Sequence, residues 1–373
     1  MKSVLFITNY ASPYRVAFFD ALGKDMDVTV LFSDRRENQS HRSSAWFVES
    51  SGRFHWVQLE KQWFRRRGGS LCPDVLPWLK KPWDAIVICG YSSPTAMLAM
   101  AWLRLHRIPY YMEIDGGLVR PDSRLKYWIK KLLVSAPTYY ISSGEPSTNY
   151  LVHYGAKREQ VFLYPFTSLF AADILETVPG EEEKLSLRRE LNLTGEKILL
   201  SVGRFDSGKG FDCLMKAVAQ MEQDVQLYIV GGEPTRDYLE LVKELRLDGV
   251  HFVPFQPKEQ LKKYYRAADA FVLPTRSDVW GLVINEAMSL GLPVVTTDRC
   301  VAGLSLIQDG INGYLVPVDD ESVLAEKLDT LLAGDCREMG KAALETIRPY
   351  TIENMAKVHV GIFETNHKTG KGK

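Results

Sequence analysis

Short apolar runs recur along the chain, each ending at a polar residue or a glycine. Val4-Leu5-Phe6-Ile7 stops at Thr8-Asn9, and a helical pattern follows from Arg15 to Leu22. Val28 to Phe32 and Ala85 to Cys89 are the next runs, the second ending at Gly90. A helix is predicted from Pro94 to Leu105, then a strand at Tyr110-Tyr111-Met112. Runs that are apolar at every position, not at alternate ones, predict strands covered on both faces and hence a parallel sheet between helices. A polar, acidic stretch from Val178 to Glu190 interrupts the pattern, which then restarts. Strands are predicted at Ile198 to Val202, Leu227 to Val230, His251 to Val253, Ala270 to Leu273 and Pro293 to Thr296. Helices are predicted from Lys209 to Met221, Arg236 to Leu245, Glu259 to Ala268 and Leu282 to Leu290. The expected fold class is α/β, with two doubly wound domains at 1–170 and 196–350 joined by a linker at 171–195. Ligands of such sheets bind beyond the carboxyl ends of the strands. Two such domains facing across a cleft would line it with their strand-to-helix loops.

The 373 residues suit two domains at roughly 100–200 residues each. Net charge is zero, which argues against a general nucleic-acid binder. The zero conceals an asymmetry: residues 1–170 hold 22 Lys and Arg against 14 Asp and Glu, and residues 171–373 hold 24 against 32. Five cysteines lie scattered without a C-x-x-C, so neither a disulfide framework nor a thiolate metal site is expected. The opening apolar run is too short for a signal-peptide core, and no run approaches the roughly 20 residues of a membrane span. A cytoplasmic protein is expected.

Gly203-Arg204-Phe205-Asp206-Ser207-Gly208-Lys209-Gly210 follows a strand and opens a helix. It nearly matches the nucleotide-triphosphate loop G-x-x-x-x-G-K-[ST], but glycine stands where the Mg²⁺-binding hydroxyl belongs. What remains is a helix N-terminus with free N–H groups and a positive dipole end, plus the cations Arg204 and Lys209. That combination suits a diphosphate held as a leaving group; a glycine turn with solvated charges is the plainer reading. Further on, Asp278 and Glu286 stand eight apart, the second inside the apolar helix Leu282 to Leu290. A buried carboxylate there needs partners, which ribose hydroxyls supply in dinucleotide folds; a salt-bridged surface Glu is the alternative.

With these motifs on the page, the second half resembles family 4 of the nucleotide-sugar glycosyltransferases, group 1 type, with the GT-B fold of two Rossmann-like domains. The family's G-R…K-G phosphate loop reads Gly203-Arg204 to Lys209-Gly210 here. Its E-x7-E reads Asp278 to Glu286, followed by Gly291-Leu292-Pro293-Val294-Val295. Val230-Gly231-Gly232, Phe252 to Phe255 and Asn312 to Pro317 match in order, so the resemblance spans roughly Ile198 to Tyr350. It implies that Arg204 and Lys209 bind the donor diphosphate, with Gly203 and Gly232 beside it. Glu286 takes the ribose hydroxyls, and the nucleobase lies near Val253, Phe255 and Gln256. Backbone N–H groups of Gly281, Leu282 and Val283 approach the diphosphate and sugar. Asp278 meets the donor sugar's hydroxyls, and its reach is about 1.5 Å shorter than that of the family's usual Glu. The resemblance also implies retention of configuration, a final helix near 352–366 crossing back to the first domain, and a nucleotide sugar (a UDP-sugar, for instance) as donor. No D-x-D occurs between Ile198 and Tyr350, where the donor motifs lie, so neither metal nor other cofactor is expected.

The first half matches the family only in layout. Asn9-Tyr10 follows the first strand where many members carry Gly-Gly. Counting from Pro109, Asp115 in Glu113-Ile114-Asp115-Gly116-Gly117 falls where many carry a His. Asn9, Tyr10 and Glu113 are therefore candidates near the acceptor, and Asp115 a candidate catalytic group; Asp-Gly-Gly is equally strong turn chemistry. Lys61 to Arg67 interleaves aromatics with cations. Arg124 to Leu133 reads as a basic amphipathic helix with Leu125, Trp128, Ile129 and Leu132 on one stripe. Such segments fit an anionic membrane surface; packing of the stripe on the sheet fits as well. The expectation is a glycosyltransferase moving a sugar to a saccharide or lipid-linked acceptor in cell-surface polysaccharide or glycolipid synthesis, peripheral at a membrane. A nucleotide-sugar epimerase and a non-catalytic sugar-nucleotide-binding module remain as alternatives.

Overall fold

The computed structural model describes residues 1–34, 52–66 and 69–366. Arg67 of the basic cluster and the tail Lys368–Lys373 lie outside the described residues. The chain forms two compact units: Met1–Ser168 with Tyr350–Lys373, and Leu169–Pro349.

The first unit begins with β1 (Ser3–Thr8), α1 (Pro13–Leu22), β2 (Asp27–Phe32) and β3 (His55–Gln58). A small antiparallel hairpin follows, β4 (Phe64–Arg66) and β5 (Gly69–Leu71), then α2 (Leu76–Leu79). Next come β6 (Ala85–Cys89), α3 (Pro94–Leu105), β7 (Tyr111–Ile114) and α4 (Arg124–Val134). β8 (Tyr139–Ser142), α5 (Glu145–His153) and β9 (Val161–Leu163) complete its sheet, which is parallel in the order β3-β2-β1-β6-β7-β8-β9. Local chemistry starts these helices where they start. Pro13 and Pro94 occupy first-turn positions, where their missing N–H costs nothing, and the Ser93 hydroxyl accepts from Ala96 N at 3.1 Å.

The second unit runs α6 (Glu181–Glu190), β10 (Ile198–Val202), α7 (Phe211–Val218), β11 (Gln226–Val230) and α8 (Arg236–Leu245). It continues with β12 (Val250–Val253), α9 (Lys258–Ala267), β13 (Ala270–Leu273) and α10 (Leu282–Ser289). β14 (Val294–Thr297), α11 (Val301–Leu306), β15 (Gly313–Val316), α12 (Glu321–Ala333) and α13 (Cys336–Ile347) close it. Its parallel sheet has the order β12-β11-β10-β13-β14-β15. The expected linker at 171–195 is part of this unit. Its acidic stretch contains α6, which Lys184 and Arg188 anchor on the Asp269 carboxylate at 3.1 and 2.8 Å. Three glutamates in the first turn of α6 favour the positive end of the helix dipole.

The last helix, α14 (Ile352–Asn366), packs against α1 inside the first unit. Phe363 meets Phe6 at 6.2 Å between ring centroids, and Phe6 in turn meets Phe18 and Phe19. Within this apolar seam sits a polar network. Arg15 donates to Glu113 Oε1 at 3.0 Å, and His359 Nε2 faces Glu113 Oε2 at 3.3 Å. His359 Nδ1 donates to the Met355 carbonyl at 2.8 Å. Glu113 and His359 are both fully buried. Burial opposes ionisation of Glu113, but hydrogen bonds from His359 and Arg15 outweigh it and hold the carboxyl below its usual range. Glu113, expected near the acceptor, is thus sealed inside the unit with both oxygens engaged.

Removing one member of a buried charged network leaves the others uncompensated, at about 3–5 kcal/mol. Glu113→Ala should lower the stability of the first unit by that order. Seven of the eight tryptophans lie in this unit, so urea unfolding followed by tryptophan fluorescence reads it directly. An unchanged midpoint would contradict the assignment.

Candidate active site

The order in which strands join the second sheet reverses between β10 and β13, because β11 and β12 extend to one side and β14 and β15 to the other. The carboxyl ends of strands at such a switch point leave a crevice for ligands. The loop after β10 is Gly203 to Gly210, and the loop after β13 carries Asp278. Both motifs singled out in the sequence therefore flank the same crevice.

The β10 loop ends in a tight 3-10 turn, Ser207–Lys209, with the Asp206 carboxylate accepting from Gly208 N at 3.0 Å. The helix expected from Lys209 starts two residues later, after Gly210 at φ +69°. A Cβ at Gly210 would stand 2.1 Å from the Pro274 carbonyl oxygen, so only glycine fits. Residues just past β13 hold this loop in place. Thr275 Oγ1 and Arg276 N both donate to the Gly208 carbonyl, at 2.9 and 2.8 Å. The Arg276 guanidinium donates to the Ser207 carbonyl, forks onto Asp212 at 2.9 and 2.7 Å, and reaches Asp319 at 2.6 Å.

Across the crevice Lys209 Nζ donates to Asp278 Oδ2 at 2.6 Å, with both side chains about four-fifths buried. Arg204 is open to solvent, 3.7 Å from Asp206. Gly231 lies so close to Gly203 that a Cβ would meet the Gly203 carbonyl at 1.8 Å, and Gly232 follows at φ +133°. Gly281, at φ +102°, opens α10. The first-turn N–H groups of Gly281, Leu282 and Val283 lack intrahelical acceptors. Their loop is pinned by Trp280, whose indole N–H donates to Asn285 Oδ1 at 2.7 Å. Val253 ends β12, Phe255 beyond it is exposed, and Gln256 Nε2 donates to the Pro254 carbonyl at 3.1 Å.

Glu286 sits on α10 with Tyr265 of α9 donating to its Oε2 at 3.1 Å. The tyrosine is buried. Burial raises the Glu286 carboxyl to about 7, against the lowering effects of Tyr265 and Lys258, while Asp173 raises it further. The sequence reading found Glu286 but not Tyr265, nor Arg276. The adjacent Tyr264 and Tyr265 in a charged helix were the visible signal for the first; the second stood just outside the motif, two residues before Asp278.

In the first unit, Asn9 and Tyr10 follow β1 at the corresponding switch between β1 and β6. The Asn9 side chain turns back to accept from Tyr10 N at 2.9 Å. Asp115 lies just past β7. Arg15 Nη2 grips both its oxygens at 2.7 and 2.8 Å, and Tyr164 donates to Oδ1 at 3.0 Å. Burial raises its carboxyl, Arg15 opposes, and the Glu113 charge adds to the rise. Arg15, Tyr164 and His359 were not anticipated. An arginine among buried Val16, Phe18 and Phe19, and a histidine on the apolar stripe of α14, were the clues.

Among the described residues no cluster of three or more His, Cys, Asp or Glu could hold a metal ion, and no helix is long and apolar enough to cross a membrane. Residues 183–346 match the family model for glycosyl transferases group 1. The second unit is a domain of that family. The chain is 31% identical over 265 residues to a D-inositol 3-phosphate glycosyltransferase of Nocardia farcinica, covering 67% of this chain and 56% of the relative. It spans little more than half the length of such curated relatives. Its fold is GT-B. The sucrose-phosphate synthase of Thermosynechococcus elongatus superposes with a TM-score of 0.76 at 22% identity, over 99% of this chain and all of the other. Anabaena HepE, solved in complex with UDP, gives 0.72 at 17% identity, over 99% and 100% of the two chains.

If Glu286 accepts two vicinal hydroxyls, it does so best as a carboxylate. Nucleoside diphosphate affinity should therefore rise as pH climbs through about 7. Calorimetry of wild type against Glu286→Gln isolates this component, because titration of the diphosphate itself is common to both. Tyr265→Phe removes a donor that favours the charged form, so its midpoint should move to higher pH. Identical pH profiles in all three proteins would contradict the assignment.

Proposed function

We propose that this protein is a retaining glycosyltransferase that moves a sugar from a nucleoside-diphosphate donor to a saccharide or lipid-linked acceptor. Cell-surface polysaccharide or glycolipid synthesis at a membrane surface is the setting we assign. One observation carries the reading: the cationic loop after β10 and the carboxylate loop after β13 flank one switch point in a group 1 glycosyl transferase domain. Lys209, Arg204 and the amides opening α10 would neutralise the diphosphate as it departs, which is electrostatic stabilisation of a developing charge. Such an arrangement needs no resident cofactor. Glu286 would receive the ribose, Phe255 would offer a face to the nucleobase, and Asp278 would meet the donor sugar. Anabaena HepE, of the same fold, binds UDP, which fits a nucleoside diphosphate here.

The first unit would receive the acceptor, with Asn9, Tyr10 and Asp115 as its candidate contacts. Asp115 cannot swing freely, because Arg15 and Tyr164 fix it. Its part is to accept a hydroxyl, not to travel as a mobile base.

Lys209→Ala and Arg204→Ala should each lose transfer activity, by about 2.7–4 kcal/mol of transition-state stabilisation if each acts like one oxyanion donor. Turnover of a panel of nucleotide sugars with saccharide acceptors measures it. Near-wild-type turnover in both variants would refute the phosphate assignment. Nucleotide binding without any hydrolysis or transfer from any donor would favour a binding module.

A further inference from the structure

Helix α4 presents its apolar stripe to solvent instead of to the sheet. Leu125, Trp128, Ile129 and Leu132 are 73%, 62%, 48% and 60% exposed, and Val134 is the helix's one buried residue. At 100° per residue the four apolar side chains share one face. Arg124 and Lys131 border it on one edge, and Lys126 borders it on the other. The helix contains no acidic residue. Lys131 lies over the Trp128 ring, 5.2 Å from its centroid. The opposite face is fastened inward. Lys130 donates to Tyr154 OH at 3.1 Å and pairs with Asp122 at 2.8 Å, while Lys126 pairs with the same carboxylate at 3.0 Å. Two ammonium groups and the Tyr154 hydroxyl thus neutralise the nearest acid and hold its carboxyl below the usual range.

A cavity of about 470 Å³ opens at the N-terminal end of this helix. Arg120, Arg124, Tyr127, Trp128 and His153 line it, beside the neutralised Asp122. Two guanidinium groups and a helix N-terminus match the chemistry of a phosphate monoanion, and the aromatic rings match the glycerol and carbonyl level beneath it.

We propose that α4 and this cavity form a docking surface for an anionic lipid bilayer. The stripe Leu125, Trp128, Ile129 and Leu132 enters the interface, and Arg120 and Arg124 take a lipid phosphate. The proposal deepens the membrane part of the function assigned above and rests on it. Charge complementarity selects this occupant. Cations on both edges of an apolar face, with the local acid already paired, fit a continuous anionic plane. Long Lys and Arg stems lie along the apolar surface and carry their charges to the headgroups. The orientation of α4 removes the competing reading in which the stripe packs on the sheet.

Vesicle flotation tests this without any donor substrate, so the outcome is independent of whether the protein transfers sugar. Wild-type protein should float with phosphatidylcholine vesicles containing phosphatidylglycerol at low salt, and with pure phosphatidylcholine about tenfold less. Trp128→Ser with Ile129→Ser, and separately Arg120→Ser with Arg124→Ser, should each lose about tenfold of the binding. Circular dichroism should show both double variants folded, since the four side chains lie on the surface. Brominated lipid should quench wild-type tryptophan fluorescence, and Trp128→Phe should lose that quenching. Failure of wild type to float, equal flotation of the variants, or quenching that persists in Trp128→Phe would overturn the proposal. So would concentration-dependent dimerisation abolished by the Trp128/Ile129 variant, which would give the face to a second copy of the chain.

Discussion

The ion pair between Lys209 and Asp278 is the contact on which the candidate site depends. It joins two loops that leave neighbouring parallel strands, β10 and β13, at the point where the strand order reverses. A lysine held by a carboxylate at 2.6 Å, mostly buried, is restrained before any ligand arrives. The pairing fixes where the Lys209 ammonium rests, and a ligand that takes it must compete with the Asp278 carboxylate. Arg276 supports this pair from behind by gripping Ser207, Asp212 and Asp319. Positive charge, carboxylate and the first-turn amides of α10 thereby flank one crevice.

The first unit solves a different problem. Its last helix comes from the far end of the chain, and a buried polar network secures it on the sheet. Arg15 belongs both to that network, through Glu113, and to Asp115, which is largely buried just past β7. One guanidinium therefore links the packing of α14 to the position of a candidate acceptor contact. Apolar side chains in place of Glu113 and His359 would pack α14 as well, but they would leave Arg15 without its inner partner.

Both sheets were legible in the sequence, because strands buried on both faces leave unbroken apolar runs such as Ile198 to Val202 and Ala85 to Cys89. The two edge strands of the first sheet were not. His55–Gln58 and Val161–Leu163 are short and only partly buried, so they carry no such run. The acidic stretch at 178–190 read as a linker because α6 is strongly polar; its attachment depends on Lys184 and Arg188 reaching an aspartate far along the chain. The phosphate loop and Glu286 were visible as local motifs. Their partners were not, since Tyr265 and Arg276 act across the fold on residues 21 and 69 positions away. Amphipathicity identified the stripe of α4 but could not say which way it faces, because that depends on what the rest of the unit leaves uncovered.

Under the proposed function, Asp278 serves two partners in turn, Lys209 in the resting site and the donor sugar when substrate is bound. Calorimetry of Asp278→Asn with a nucleoside diphosphate and with the intact nucleotide sugar tests it most directly. The substitution frees Lys209 for the diphosphate while removing a charged acceptor for the sugar. Affinity for the bare diphosphate should hold or tighten, and affinity for the intact donor should fall by about tenfold or more, near 1.4 kcal/mol. Equal losses for both ligands would contradict the account.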